Sequence, residues 1–98
     1  MVLTKSQIKT LRTLAHQLKP VVRIGQNGLT DNVMEEIRSS LEYHELIKLK
    51  INVGERQERD EILQKITDET KSECIQQIGN TAVLFRRNAQ KPVISLAK

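Results

Sequence analysis

Two glycines three residues apart, Gly25 and Gly28, hold Gln26 and Asn27 between them. A backbone without Cβ atoms can approach a bulky anion closely. The two amide side chains can donate hydrogen bonds to phosphate or to a ribose 2′-OH. Upstream, Lys5, Lys9, Arg12, His16 and Lys19 recur at spacings of three and four with no acid among them. At 100° per residue they share one stripe of a helix. Like charges at these spacings repel by a few tenths of a kcal/mol per pair, so a stripe that served only solubility would more often include Glu. This pattern suits electrostatic capture of a polyanion; the alternative is a plain solvated face. Arg23 lies between stripe and glycines, and Arg86 and Arg87 are expected to extend the patch from the other end of the chain.

The charges are segregated along the chain. Residues 1–30 carry five Lys and Arg and no acid. Residues 79–98 carry Arg86, Arg87, Lys91 and Lys98 and no acid. All 12 acids lie in between, and the net charge is +4. If the two ends fold together, one side is cationic and the other acidic, a field that favours a polyanion on one face.

Other chemistries find little support. His16 and His44 have no partners at zinc-ligand spacing. Cys74 is single and shows no basic context that would activate it, and it agrees with a reducing compartment. Asp60, Glu61, Asp68 and Glu69 read as a solvated helix face. Gly25–Gly28 lacks the Lys of a P-loop and the third Gly of a dinucleotide fingerprint. The expectation is no catalytic residue, metal, cofactor or small-molecule substrate. Tyr43 and Phe85 are the sole aromatics, so base stacking of the RRM or OB-fold kind is not available. Recognition must rest on phosphate, sugar and backbone contacts, for which the GXXG loop of KH modules is a precedent.

The positioning elements follow from periodicity. Thr4 with Gln7 is a capping box for a first helix to about Leu18, with Ile8, Leu11, Leu14, Ala15 and Leu18 on one side. Pro20 ends it. A strand from Val21 to Ile24 leads into the glycines. Thr30 caps a second helix to about Tyr43. Ile47, Leu49 and Ile51 alternate with Lys48 and Lys50 in a second strand, about Leu46 to Asn52. The alternation leaves open whether these lysines face the polyanion or the acidic helices. A helix between two strands implies a parallel, right-handed crossover. A third helix spans about Arg56 to Thr70. Strands near Glu73–Ile78 and Thr81–Arg86 form a hairpin around Gly79-Asn80. The continuous apolar run Ala82–Phe85 places the last strand centrally or covers it on both faces. The tail after Pro92 can pack through Val93, Ile94 and Leu96. The expected fold is one α/β (α+β) domain over residues 1–98, α-β-α-β-α-β-β, with a four-stranded mixed sheet of open strand order. No apolar run reaches the roughly 18–20 residues of a membrane span. The N-terminus lacks the apolar segment of a signal peptide, so a cytoplasmic location is expected; a monomer is expected as well.

Three blocks together resemble one family. The run Leu18-Lys19-Pro20-Val21-Val22 to Gly25-Gln26-Asn27-Gly28-Leu29-Thr30, then His44-Glu45-Leu46-Ile47-Lys48-Leu49-Lys50, then Ile78-Gly79-Asn80-Thr81-Ala82-Val83-Leu84-Phe85-Arg86, is similar to the CRM domain (chloroplast RNA splicing and ribosome maturation), in its stand-alone bacterial YhbY-type form. The resemblance implies a fold like the C-terminal domain of translation initiation factor 3. It also implies non-catalytic binding of ribosomal RNA in precursors of the large ribosomal subunit, through the GxxG loop and adjacent basic surface. Many such loops carry Lys or Arg in the middle. Neutral Gln26 and Asn27 shift the electrostatic share to Arg23, the first helix and the loop's own N–H groups. The competing expectation is a protein-interaction module whose acidic second and third helices dock a basic ribosomal protein.

Overall fold

Thr4 starts the first helix by a reciprocal cap: its Oγ1 accepts from Gln7 N at 3.1 Å, and its own N–H donates to Gln7 Oε1 at 3.0 Å. The computed structural model describes residues 3–96; Met1, Val2, Ala97 and Lys98, the last cation among them, lie outside the described residues. Helix α1 (Lys5–Ala15) is followed by β1 (Val22–Ile24), α2 (Asp31–His44), β2 (Leu46–Ile51), α3 (Arg56–Thr70), β3 (Glu73–Ile78) and β4 (Thr81–Phe85). The expected element order is therefore observed. Helix α1 stops three residues before the expected Leu18. Its last turn tightens into i→i+3 bonds, with Gln17 N on Leu14 O and Leu18 N on Ala15 O, as the chain approaches the conformational block at Pro20.

The sheet runs β1-β2-β4-β3. Strands β1 and β2 are parallel across α2, and β4 is antiparallel to both of its neighbours. Strand β4 is thus interior, as its apolar run requires. Its side chains alternate between two cores. Ala82 and Leu84 join Val22, Ile24, Leu49, Ile51, Met34, Ile37, Leu41, Leu63 and Ile66 under α2 and α3. Val83 and Phe85 join Leu11, Ala15, Leu46 and Ile75 under α1. The molecule is a three-layer stack, with α1 on one face and α2 and α3 on the other. Burying a ring such as Phe85 contributes on the order of 3–5 kcal/mol by the cost of truncating it to Ala.

Strand β3 is the edge, and a bulge between Cys74 and Gln76 interrupts its register with β4. A single residue, Glu45, joins α2 to β2, at φ 64° and ψ −43°. Its carboxylate is fully buried and organises the segment after β4. It accepts from Asn88 N at 2.6 Å, Val93 N at 2.6 Å, Ile94 N at 2.8 Å and Arg87 Nη1 at 3.2 Å. Ile94 and Leu96 pack on the α1-side core, as expected of the tail, whereas Val93 is exposed.

Candidate nucleic-acid interface

The glycine pair forms a β-turn at the C-terminal end of β1. Gly28 N donates to Gly25 O at 2.9 Å, which places Gln26 and Asn27 at the exposed tip. The two glycines have different reasons to be glycine. Gly28 sits at φ +70°, a region that L side chains rarely enter. Gly25 has no positive φ, and a Cβ there would meet nothing within 4 Å. Among the described residues, neither the amide side chains nor the N–H groups of Gln26 and Asn27 have a partner within the protein. An open depression beside the turn is lined by Arg23, the turn itself, Thr30 and Val33.

The start of α2 contributes less than its position suggests. Thr30 Oγ1 already accepts from Val33 N at 3.2 Å, and Asp31 occupies the first turn. A capped N–H and a carboxylate both reduce what a helix N-terminus can offer an anion.

Lys5, Lys9, Arg12, Lys19 and Arg23 are all exposed. Val22 and Ile24 point into the core under α2 and α3, so Arg23 projects from the opposite, α1 side of the sheet. The same alternation settles Lys48 and Lys50. Ile47, Leu49 and Ile51 face α2 and α3, so both lysines face the α1 side, away from the acidic helices, with Lys50 in register beside Arg23. Ion pairs among the described residues are Arg38–Glu35, Arg56–Asp60, Arg86–Glu42 and Arg87–Glu45. None involves Lys5, Lys9, Arg12, Lys19, Arg23, Lys48 or Lys50.

Arg86 and Arg87 correct the expectation that they extend the cationic patch. Arg86 Nη2 donates to Glu42 Oε2 at 2.7 Å, and Arg87 bonds Glu45 and Ile94 O while lying 5.6 Å from the centre of the Phe85 ring. Arg87 thus pairs with a buried carboxylate, and Arg86 with an exposed one on α2. Chain spacing could not show this, since Glu42 and Glu45 lie more than 40 residues away and are brought near only by the β2–β4 pairing. Glu45 itself passed in the sequence for one more acid of the middle segment. Burial pushes its carboxyl up, but the N–H bonds from Asn88, Ile94 and Val93 and the Arg87 charge outweigh that and hold it below the ordinary carboxylate value. Cys74 lies on the edge strand with Sγ 3.7 Å from Gln76 O, and burial pushes its thiol up, the opposite of what a nucleophile needs.

A mixed sheet with helices on both faces, charge divided between those faces and a GxxG turn at one end defines an α/β domain of known kind. Residues 3–86 match the CRS1/YhbY (CRM) domain, and the chain belongs to that family. A Haemophilus influenzae protein named RNA-binding protein is 41% identical over 93% of this chain and 92% of its own length. The Pseudomonas aeruginosa "Probable RNA-binding protein PA4753" is 39% identical over 90% and 85%. The Bacillus subtilis "Probable RNA-binding protein YqeI" is 32% identical over 96% and 98%. The solution structure of the hypothetical protein SAV1595 from Staphylococcus aureus superposes with a TM-score of 0.81 at 32% identity, covering 98% of this chain and 100% of that one.

Proposed function

We propose that this protein binds ribosomal RNA in precursors of the large ribosomal subunit and assists their assembly without catalysing a reaction. It acts in the cytoplasm as a monomer. The Gly25–Gly28 turn brings bare backbone and two amide side chains to the RNA, and Lys5, Lys9, Arg12, Lys19 and Arg23 supply the attraction. Relatives named as RNA-binding proteins support the ligand class, and the CRM family supports the ribosomal setting. The observation that carries the reading is the separation of charge. Lys5, Lys9, Arg12, Lys19, Arg23, Lys48 and Lys50, all without ion pairs, lie on α1, on the α1 side of the sheet or in the segment joining α1 to β1, whereas the cations of α2 and α3 sit among those helices' own acids.

Contact with phosphates releases condensed counterions, so affinity must fall as salt rises. With about five phosphates neutralised, affinity for a structured ribosomal RNA fragment should drop about 500-fold between about 50 and about 200 mM salt. Titration at both concentrations measures this, and a flat response overturns the reading.

A further inference from the structure

On the α1 side of the sheet, the apolar contacts of the helix and the cations of β1 and β2 fall at different positions. Leu11 and Ala15 pack on Leu46, Ile75, Val83 and Phe85. Leu46 and Phe85 pair at the end of the sheet remote from the turn. At the other end, Asn52 N bonds Ile24 O beside the glycine turn, and Lys50 pairs with Thr81. The floor there consists of Arg23 on β1, Lys48 and Lys50 on β2, and Thr81 on β4. Neighbouring strands lie about 4.8 Å apart and same-face residues about 6.6 Å apart along a strand. Three cations therefore crowd a small patch with no acid to offset them. Every acid of the described chain lies on α2, on α3, in the residues Glu45 and Glu55 that border those helices, or at Glu73 on the far edge strand. Such a cluster costs stability by self-repulsion until an anion arrives.

We propose that this part of the sheet face, which carries exposed Arg23 and half-buried Lys48 and Lys50 beside the Gly25–Gly28 turn, is a phosphate seat for base-paired RNA. The proposal rests on the RNA-binding reading above and names the part of RNA that is held. The seat carries no ring: Phe85 is buried, and Tyr43 is exposed on α2, on the opposite face. Single strands are held by stacking bases on aromatic side chains, whereas duplexes are held through phosphate, sugar and shape. A ring-free row of cations serves the second mode. The neutral tip residues Gln26 and Asn27 fit it as well, since amides can bond a 2′-OH.

The test compares a hairpin RNA having a long base-paired stem with an unstructured single strand of equal length. The variants are Lys48→Gln/Lys50→Gln and, as a reference, Lys5→Gln/Lys9→Gln/Arg12→Gln. Wild type should favour the hairpin. The sheet variant should lose about tenfold in hairpin affinity, and its slope of log affinity on log salt should shrink by about 2. Lys48→Arg/Lys50→Arg should keep both. Lys50→Gln alone, with a slope change of about 1, carries the same test where the pair disturbs folding. An unchanged hairpin affinity and slope in the sheet variant, with weakening in the helix variant, overturns the seat and leaves RNA binding standing. Equal or tighter binding of the single strand by wild type overturns the base-paired ligand. Binding of neither RNA removes the RNA reading itself.

Discussion

Gly25 and Gly28 look equivalent in the sequence, yet the fold constrains them differently. Gly28 closes the turn at a positive φ, so any L side chain there is strained whatever binds. Gly25 has open space around its Cα, so an added methyl group meets only an incoming ligand. Gly25→Ala should leave the thermal midpoint unchanged and weaken RNA binding by about tenfold if the turn's backbone lies against the phosphates, the fold-change that ~1.4 kcal/mol produces. Calorimetry and a binding titration on the same sample measure both quantities. Unchanged affinity would mean that the backbone at Gly25 does not touch RNA. The sequence showed that the pair permits close approach. It could not show which glycine the turn demands, because φ is set by the path from β1 into α2.

At the scale of elements, the helices and β2 were legible from their periodicity, and β3 and β4 from the Gly79-Asn80 turn and the continuous apolar run of a strand buried on both faces. The irregular segment after β4 was less legible. Its order comes from Glu45, a buried carboxylate that gathers three backbone N–H groups and Arg87. No periodicity marks such a residue. Glu45→Ala keeps a Cβ at the same positive φ, so backbone strain is common to both proteins and the lost carboxylate is isolated. Removing one partner of a buried pair should cost about 3–5 kcal/mol, read from urea unfolding at neutral pH. The pH dependence has a defined sign. The folded carboxyl titrates below its ordinary value of 4.5. Its contribution is therefore complete above the unfolded value and is lost as pH falls through the lower folded value. The stability gap between wild type and Glu45→Gln should be widest near neutrality and narrow in acid.

On the scale of the whole molecule, charge segregation along the chain becomes segregation between faces, but with exchanges that linear position hides. Lys48 and Lys50 come from the acid-rich middle and join the cationic side. Arg86 and Arg87 come from the acid-free end and are drawn to Glu42 and Glu45. The resulting field makes the α1 side cationic and leaves the acidic helices on the other side of the sheet. In lysate, the protein should sediment with large ribosomal particles and be released by nuclease digestion and by raised salt. Retention after nuclease would instead favour a docking role for the acidic helices.

The bulge in β3 bears on how the protein behaves when concentrated. An edge strand offers unpaired N–H and C=O groups on which a stray chain can grow further sheet. The break in register between Cys74 and Gln76 spoils the straight template such growth needs, and Glu73 adds a charge at the start of the strand. The sheet's other edge, β1, is only three residues long. The sheet's outline thus offers an incoming strand little straight edge on either side, so contacts between copies by edge pairing are disfavoured without masking the face that carries the turn and the lysines.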